Sequence, residues 1–303
     1  MEELRNFISQ IITSRPENCM KIYFSRRIGH QYITHQPVAS NEVQYGIIDT
    51  MFPFVTEQID SHNIVEYNPV GVLDEEIEKI EVEKVPMWIN FMNSIEEDLN
   101  QEMSSLKIEN IGFYCVAITY NGKTLYLFRQ FQKLKKLRQG LFTRIVENEL
   151  KRIESDFLGI DEFTDMIVFE NDLLLLNHIS FERIFDYRDE FLKKTNEALG
   201  EILSQNVIEN IEQFAYDCRS DVRIMKRFTN IMTQERLPLF FKNYERVPLI
   251  VKELGLDIDF DEDGKLIYRE RSQLFHIINL LSDAYFKSLI AQRPGVAKLE
   301  GDI

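Results

Sequence analysis

Over the first thirteen residues the apolar positions Leu4, Phe7, Ile8, Ile11 and Ile12 recur at the three- and four-residue spacing of an amphipathic helix. CMKIYFSRR then reads as a strand. SNEVQYGIIDTMFPFVTEQID reads as a helix begun by Ser40 or Asn41 and disturbed by Pro53, and NIVEYN as a further short strand. The acidic run DEEIEKIEVEK, residues 74–84, reads as a solvated face. It precedes a helix in PMWINFMNSIEEDLNQEM, with Pro86 near the first turn, where a missing N–H costs nothing.

The strongest local signal follows. IGFYCVAITY and KTLYLFRQF are β-rich runs joined by Asn121-Gly122, and both central residues of a type I′ hairpin turn need positive φ. Leu125 and Leu127 alternate with Tyr126 and Phe128, as in a strand covered on both faces. Past Phe131 the alternation stops, and KLKKLRQG reads as an exposed connection ending at Gly140. FTRIV supplies another strand, and TDMIVFENDLLLLN a hairpin turning at Asn171-Asp172.

From His178 the spacing becomes helical, in ISFERIF, YRDEFLKKTNEALGEILS, VIENIEQFAYDCR, DVRIMKRFTNIMT and PLFFKNYERVPLIVKEL. GLDIDFDEDGKLIYRE reads as a small hairpin and SQLFHIINLLSDAYFKSLI as a last helix. The fold class predicted is α+β. A central, mainly antiparallel sheet with flanking helices fills a domain over residues 1–177, and a mainly helical domain containing a β-hairpin covers 178–303.

Composition narrows the function classes. The N-terminus lacks a positive region leading into an apolar one, so no signal peptide is expected, and no apolar run approaches the roughly 18 residues of a membrane span. Cys19, Cys115 and Cys218 are odd in number and widely spaced, which fits a reducing cytoplasm better than a disulfide framework or a zinc site. There is no phosphate-binding glycine loop and no nucleophile elbow. His30, His35, His62, His178 and His276 are dispersed, and His30 and His35 read as surface or turn residues. No cofactor, metal or catalytic residue is predicted.

Two acidic patterns bear on that statement. Asp259, Asp261, Asp263, Gly264 and Glu270 fit the spacing of a calcium-binding EF-hand loop. The alternation of Leu256, Ile258 and Phe260, then Leu266 and Tyr268, fits a hairpin instead, and Gly255 breaks the helix an EF-hand needs. Glu149-Leu150-Lys151 matches the Glu-x-Lys half of a metal-dependent nuclease, but residues 108–146 upstream of it hold only Glu109, and Asp156 and Asp165 follow in the wrong order.

Charge supplies the leading functional feature. The formal net charge is −15, yet the 37 residues between Glu109 and Glu147 hold no acid and seven cations, which leaves −22 for the rest. Arg129, Lys133, Lys135, Lys136, Arg138 and Arg144, with Phe131 and Phe142 nearby, suit contact with a nucleic-acid backbone, which needs no fixed geometry. Lys21, Arg26 and Arg27, and Arg223, Lys226 and Arg227, are smaller acid-poor groups that extend it. The competing reading pairs the strip with the chain's own acidic run or with an acidic protein partner. Six phosphate contacts imply a loss of roughly a thousandfold in affinity between 50 and 200 mM salt.

TLYLFRQFQKLKKLRQG, DMIVFENDLLLLNHISFERIFDYRDEF and DIDFDEDGKLIYRERSQLFHIINLLSDAYFKS, taken in order over residues 110–290, resemble the KwaB family of the Kiwa anti-phage defence system. The resemblance implies a cytoplasmic, DNA-binding homodimer that works with the membrane protein KwaA at the inner face of the cell membrane. It would obstruct phage DNA replication or transcription. It brings no catalytic motif, so the six cations rest on charge placement alone; a metal-dependent nuclease and a protein adaptor remain the alternatives.

Overall fold

The computed structural model describes residues 1–71, 75–97, 110–131, 143–146, 149–152, 159–288, 290 and 293–297. The chain packs as two units, Met1–Glu66 with Asp74–Asp186, and Tyr67–Leu73 with Tyr187–Ile303. The fold class is the α+β arrangement that the hydrophobic pattern predicts.

The first unit runs α1 (Glu2–Ser14), β1 (Met20–Ile28), β2 (Gln31–His35), α2 (Asn41–Ser61), β3 (Asn63–Glu66), β4 (Glu76–Glu81) and α3 (Trp88–Glu97). It continues through β5 (Phe113–Tyr120), β6 (Lys123–Gln130), β7 (Thr143–Val146), β8 (Glu149–Arg152), β9 (Met166–Phe169), β10 (Asp172–Leu175) and α4 (His178–Ile184). Among the described residues eight strands form one sheet in the order β2-β1-β5-β6-β9-β10-β4-β3. Every pairing in it is antiparallel except β3 with β4. Among the described residues β7 and β8 pair only with each other.

The two faces of this sheet bury different chemistry. Tyr114, Val116, Ile118, Leu125 and Leu127 meet the apolar stripes of α1 (Leu4, Phe7, Ile8, Ile11) and α2 (Ile47, Ile48, Met51, Phe52, Val55). Ser40 caps α2 by accepting from Val43 N, and the helix continues through Pro53. On the other face Phe113 and Phe128 join Tyr32, Trp88, Phe91 and Phe185 in a ring cluster with centroids 5.2–6.2 Å apart. The alternation from Leu125 to Phe128 thus does mark a strand covered twice.

Asn121 (φ 49°) and Gly122 (φ 77°) both take the positive φ of the expected hairpin turn. The second hairpin turns one residue earlier than expected. Its loop is Glu170-Asn171, with Glu170 at φ 56°, and Asp172 already pairs with Phe169 and with Glu81. Leu173, Leu174 and Leu175 are all buried, so their register is held by packing, and a one-residue slip would exchange the faces they occupy. His35, expected at the surface, is buried in β2.

The second unit contains α5 (Tyr187–Gln205), β11 (Ile208–Glu209), α6 (Ile211–Ser220), α7 (Val222–Thr233), α8 (Arg236–Lys242), α9 (Val247–Leu254), β12 (Asp259–Phe260), β13 (Leu266–Ile267), α10 (Leu274–Leu281), β14 (Tyr285–Lys287) and β15 (Pro294–Val296). Its core joins Ala198, Leu199 and Ile202 of α5 to Phe214, Ile224, Phe228, Ile231 and the apolar face of α10. The expected hairpin is present as β12 and β13, extended by β11.

The last helix is shorter than its periodicity predicts. Asp283 enters the left-handed region (φ 55°) and ends α10, after which Tyr285–Lys287 pairs with Pro294–Val296. Gly295 lies beneath the exposed Phe286 ring, where a Cβ would come within 2.6 Å unless that ring swung aside.

Candidate nucleic-acid interface

β6 leads into the basic strip, and its end is fastened from below. Arg129, 8% exposed, donates from Nε (3.0 Å) and Nη2 (2.7 Å) to the Asp161 carboxylate and from Nη1 to Asp165 (2.9 Å). Asp165, 1% exposed, also accepts from Gln130 N at 2.6 Å, while its own N–H bonds Phe128 O and its carbonyl receives Leu176 N and Asn177 N. The guanidinium lies 5.3 Å from the centre of the Phe163 ring. Burial works against its charge, but the bonds to Asp161 and the field of Asp165 outweigh that, so its pKa rises. One further bond, Phe131 N to Gly112 O at 2.9 Å, holds Phe131 to the sheet.

Of the six cations expected to meet a polyanion, Arg129 is therefore engaged by two carboxylates inside the fold. Lys123, another cation of the acid-free window, pairs with Glu3 and with Glu170. Lys133, Lys135, Lys136 and Arg138 lie outside the described residues. Arg144 lies on β7, where the ladder sets it opposite Lys151 and sets Thr143 opposite Arg152. Lys151 and Arg152 were not in the expected set. They follow Glu149, outside the acid-free window, and only the strand register brings them to the same hairpin as Arg144.

The acidic patterns resolve into structural roles. Asp259 pairs with Arg269, Asp261 accepts from Lys265 N (2.7 Å), and Glu270 caps a short turn of helix reciprocally with Gln273. The EF-hand spacing is thus occupied by a hairpin and its caps. Asp165, a possible metal ligand for a nuclease, is committed to Arg129 and Gln130. Glu149 and Lys151 stand on β8, and Asp156 falls outside the described residues.

A second cluster with one cation between two acids was not foreseen. His178, at the first position of α4, contacts Glu78 through Nδ1 and Glu182 through Nε2, each at 2.7 Å. Burial alone would lower its pKa, but the bonds to Glu182 and Glu78 push it up to about 9. At neutral pH it is an imidazolium, with Glu78 only 3% exposed beside it. Glu182 could have been paired with His178 from their four-residue spacing; Glu78, a hundred residues away, could not.

A family model described as Kiwa protein KwaB-like matches residues 108–291, which include the basic strip, the Arg129 cluster and most of the helical unit. No curated protein and no solved structure matches the chain.

Proposed function

We propose a function from one premise: this chain belongs to the KwaB-like family of Kiwa anti-phage defence proteins. It acts as a DNA-binding effector, gripping the phosphate backbone through Lys133, Lys135, Lys136, Arg138 and Arg144 and obstructing replication or transcription without cutting. The family reading makes it a cytoplasmic homodimer held at the inner face of the membrane by KwaA. Among the described residues no helix is long and apolar enough to cross a membrane itself.

The observation that carries the proposal is the acid-free window, refined by the ion pairs within it. Its two cations with described partners, Lys123 and Arg129, are paired within the fold, and the other five follow Phe131 in the sequence. Register then adds Lys151 and Arg152 to the Arg144 hairpin. In a chain of net charge −15 such a concentration attracts a polyanion to one segment while the acidic remainder repels it.

The test is a gel-shift series on the wild type and on a variant with Lys133, Lys135, Lys136 and Arg138 each changed to Glu. With Arg129 withdrawn, five contacts give an expected loss of about five-hundredfold in affinity between 50 and 200 mM salt, with little sequence preference. The reversal should weaken the shift and flatten the slope of log affinity against log salt by more than about 3. A salt-insensitive complex, or one indifferent to the reversal, sinks the proposal. Cutting that appears with Mg²⁺ and disappears in Glu149→Gln would replace it with a nuclease.

A further inference from the structure

The helical unit carries a second cationic cluster, built on the opposite stoichiometry from that at Arg129. Asp221, the N-cap of α7, is 9% exposed and accepts from Arg223 (2.9 Å) and from Arg271 (3.0 Å), whose side chains are 76% and 58% exposed. One carboxylate thus orients two guanidiniums and neutralises one of them. Arg227, one turn after Arg223, donates to a neutral acceptor, Asn279 Oδ1, at 2.6 Å, so its charge is not cancelled there. Phe275, 36% exposed, has the guanidinium of Arg223 at 5.8 Å and that of Arg227 at 5.5 Å from its ring centre.

α7 has the residues for such a surface. Val222–Thr233 contains Arg223, Lys226 and Arg227 and no acid, while Ile224, Met225, Phe228 and Ile231 bury the other side of the helix. The guanidiniums are pre-oriented, since Asp221 and the Phe275 ring already restrict the rotamers that an unsupported arginine would lose on binding. Planar forks suit phosphate oxygens, and their flat faces suit stacked bases.

We propose that Arg223, Arg227, Arg271 and Phe275 form a second nucleic-acid contact, independent of the basic strip, in which three guanidiniums bind the phosphodiester backbone of single-stranded or duplex DNA. It shares with the function proposed above only the class of ligand. A single charged surface gives one salt-dependent grip; two give the chain two separable ones. An acidic protein would be attracted by the charge but would make no use of the partly exposed Phe275 ring beside the guanidiniums.

The test measures the affinity of the full chain for oligo(dT) and for duplex DNA between 50 and 200 mM salt. Three variants are compared with the wild type: Arg223→Gln/Arg227→Gln/Arg271→Gln; the strip reversal; and a control, Lys193→Gln/Lys242→Gln/Lys252→Gln, which removes the same charge from exposed positions of the same unit. The arginine triple should flatten the slope of log affinity against log salt by about 2 on oligo(dT) and nearly 3 on duplex, and the control by less than about half a unit. Because the triple leaves Asp221 without a cationic partner, Arg227→Gln/Phe275→Leu is added; it spares that carboxylate's ion pairs, and should flatten the slope by about 1.

Equal slopes for the triple and the control, or no change in either arginine variant, overturn the proposal. So does an arginine triple that loses poly-glutamate binding while keeping oligo(dT), which would assign the surface to an acidic protein. If the strip reversal alone removes all binding, this contact fails and the strip stands; if the reversal leaves affinity and slope unchanged while the triple lowers both, the strip fails and this contact stands; a partial loss in each variant is the result expected of two contacts. Wild type that ignores DNA at every salt overturns both.

Discussion

Arg129 and Arg223 are both arginines bonded to aspartate, and they differ in who shares whom. At Arg129 one cation is divided between two carboxylates, Asp161 and Asp165, and is almost fully covered. At Arg223 one carboxylate, Asp221, is divided between two cations that remain largely exposed. The first arrangement leaves an acid in surplus and places the arginine inside the fold; the second leaves a cation in surplus and presents it to solvent. Counting lysines and arginines along a chain does not separate these cases, whereas counting the partners of each charge does.

The comparison is broken most forcefully at the buried end. Arg129→Met should cost about 3–5 kcal/mol of stability, because it strands Asp165 among Phe128, Gln130 and Leu176 with no cation to answer its charge. Arg223→Met should cost far less, since its partner keeps Arg271 and its own head group is solvated. Urea unfolding monitored by circular dichroism measures both. A similar loss at the two sites would mean that partner count does not distinguish a structural from a presented arginine.

What the amino-acid order revealed was local. Asn121-Gly122 announces its turn because two adjacent positive-φ positions are a property of two adjacent residues. The twofold coverage of β6 is likewise legible in the alternation of Leu125 to Phe128. Arg129 was indistinguishable from Lys133 because its partners lie 32 and 36 residues further on, and only the pairing of β6 with β9 carries Asp165 beneath it. Lys151 became a neighbour of Arg144 through a hairpin register that charge counting along the chain does not see. The early end of α10 escaped because the residues that follow it, AYFK, continue an apolar pattern that serves a strand as well as a helix. The positive charge of the strip was legible; how much of it the fold consumes was not.

His178 sharpens the comparison by repeating the Arg129 arrangement with a cation that titrates. It sits between Glu78 and Glu182 as Arg129 sits between Asp161 and Asp165, but its charge is removable by base. Its pKa is raised from about 6.5 in the unfolded chain to about 9, so the stabilisation is complete below the lower value and is lost as pH rises through the upper one. On the order of 2–3 kcal/mol should disappear between pH 6.5 and 9.5. His178→Gln should be less stable at neutral pH and show a flatter profile over that interval, read from urea midpoints at each pH. An unchanged wild-type midpoint across the interval would remove His178 from the class of buried, doubly paired cations.

Asp221 gives the smallest effect and the opposite sign. The hydrogen bond from Arg223 is the main influence holding its carboxyl down at about 2, against about 3.8 for an ordinary aspartate. Its stabilisation is therefore present above about pH 4 and is lost as pH falls towards 2. Because both guanidiniums are exposed, the amount is on the order of 1 kcal/mol rather than the full value of the shift. Asp221→Asn should lower stability by that amount at pH 7, and the gap from the wild type should close near pH 2, read as the difference between their urea midpoints. The same variant leaves Arg223 and Arg271 cationic but less firmly oriented, so DNA affinity at low salt should rise or hold while its salt slope steepens. A fall in both would mean that orientation by Asp221, more than surplus charge, makes the α7 cluster a contact.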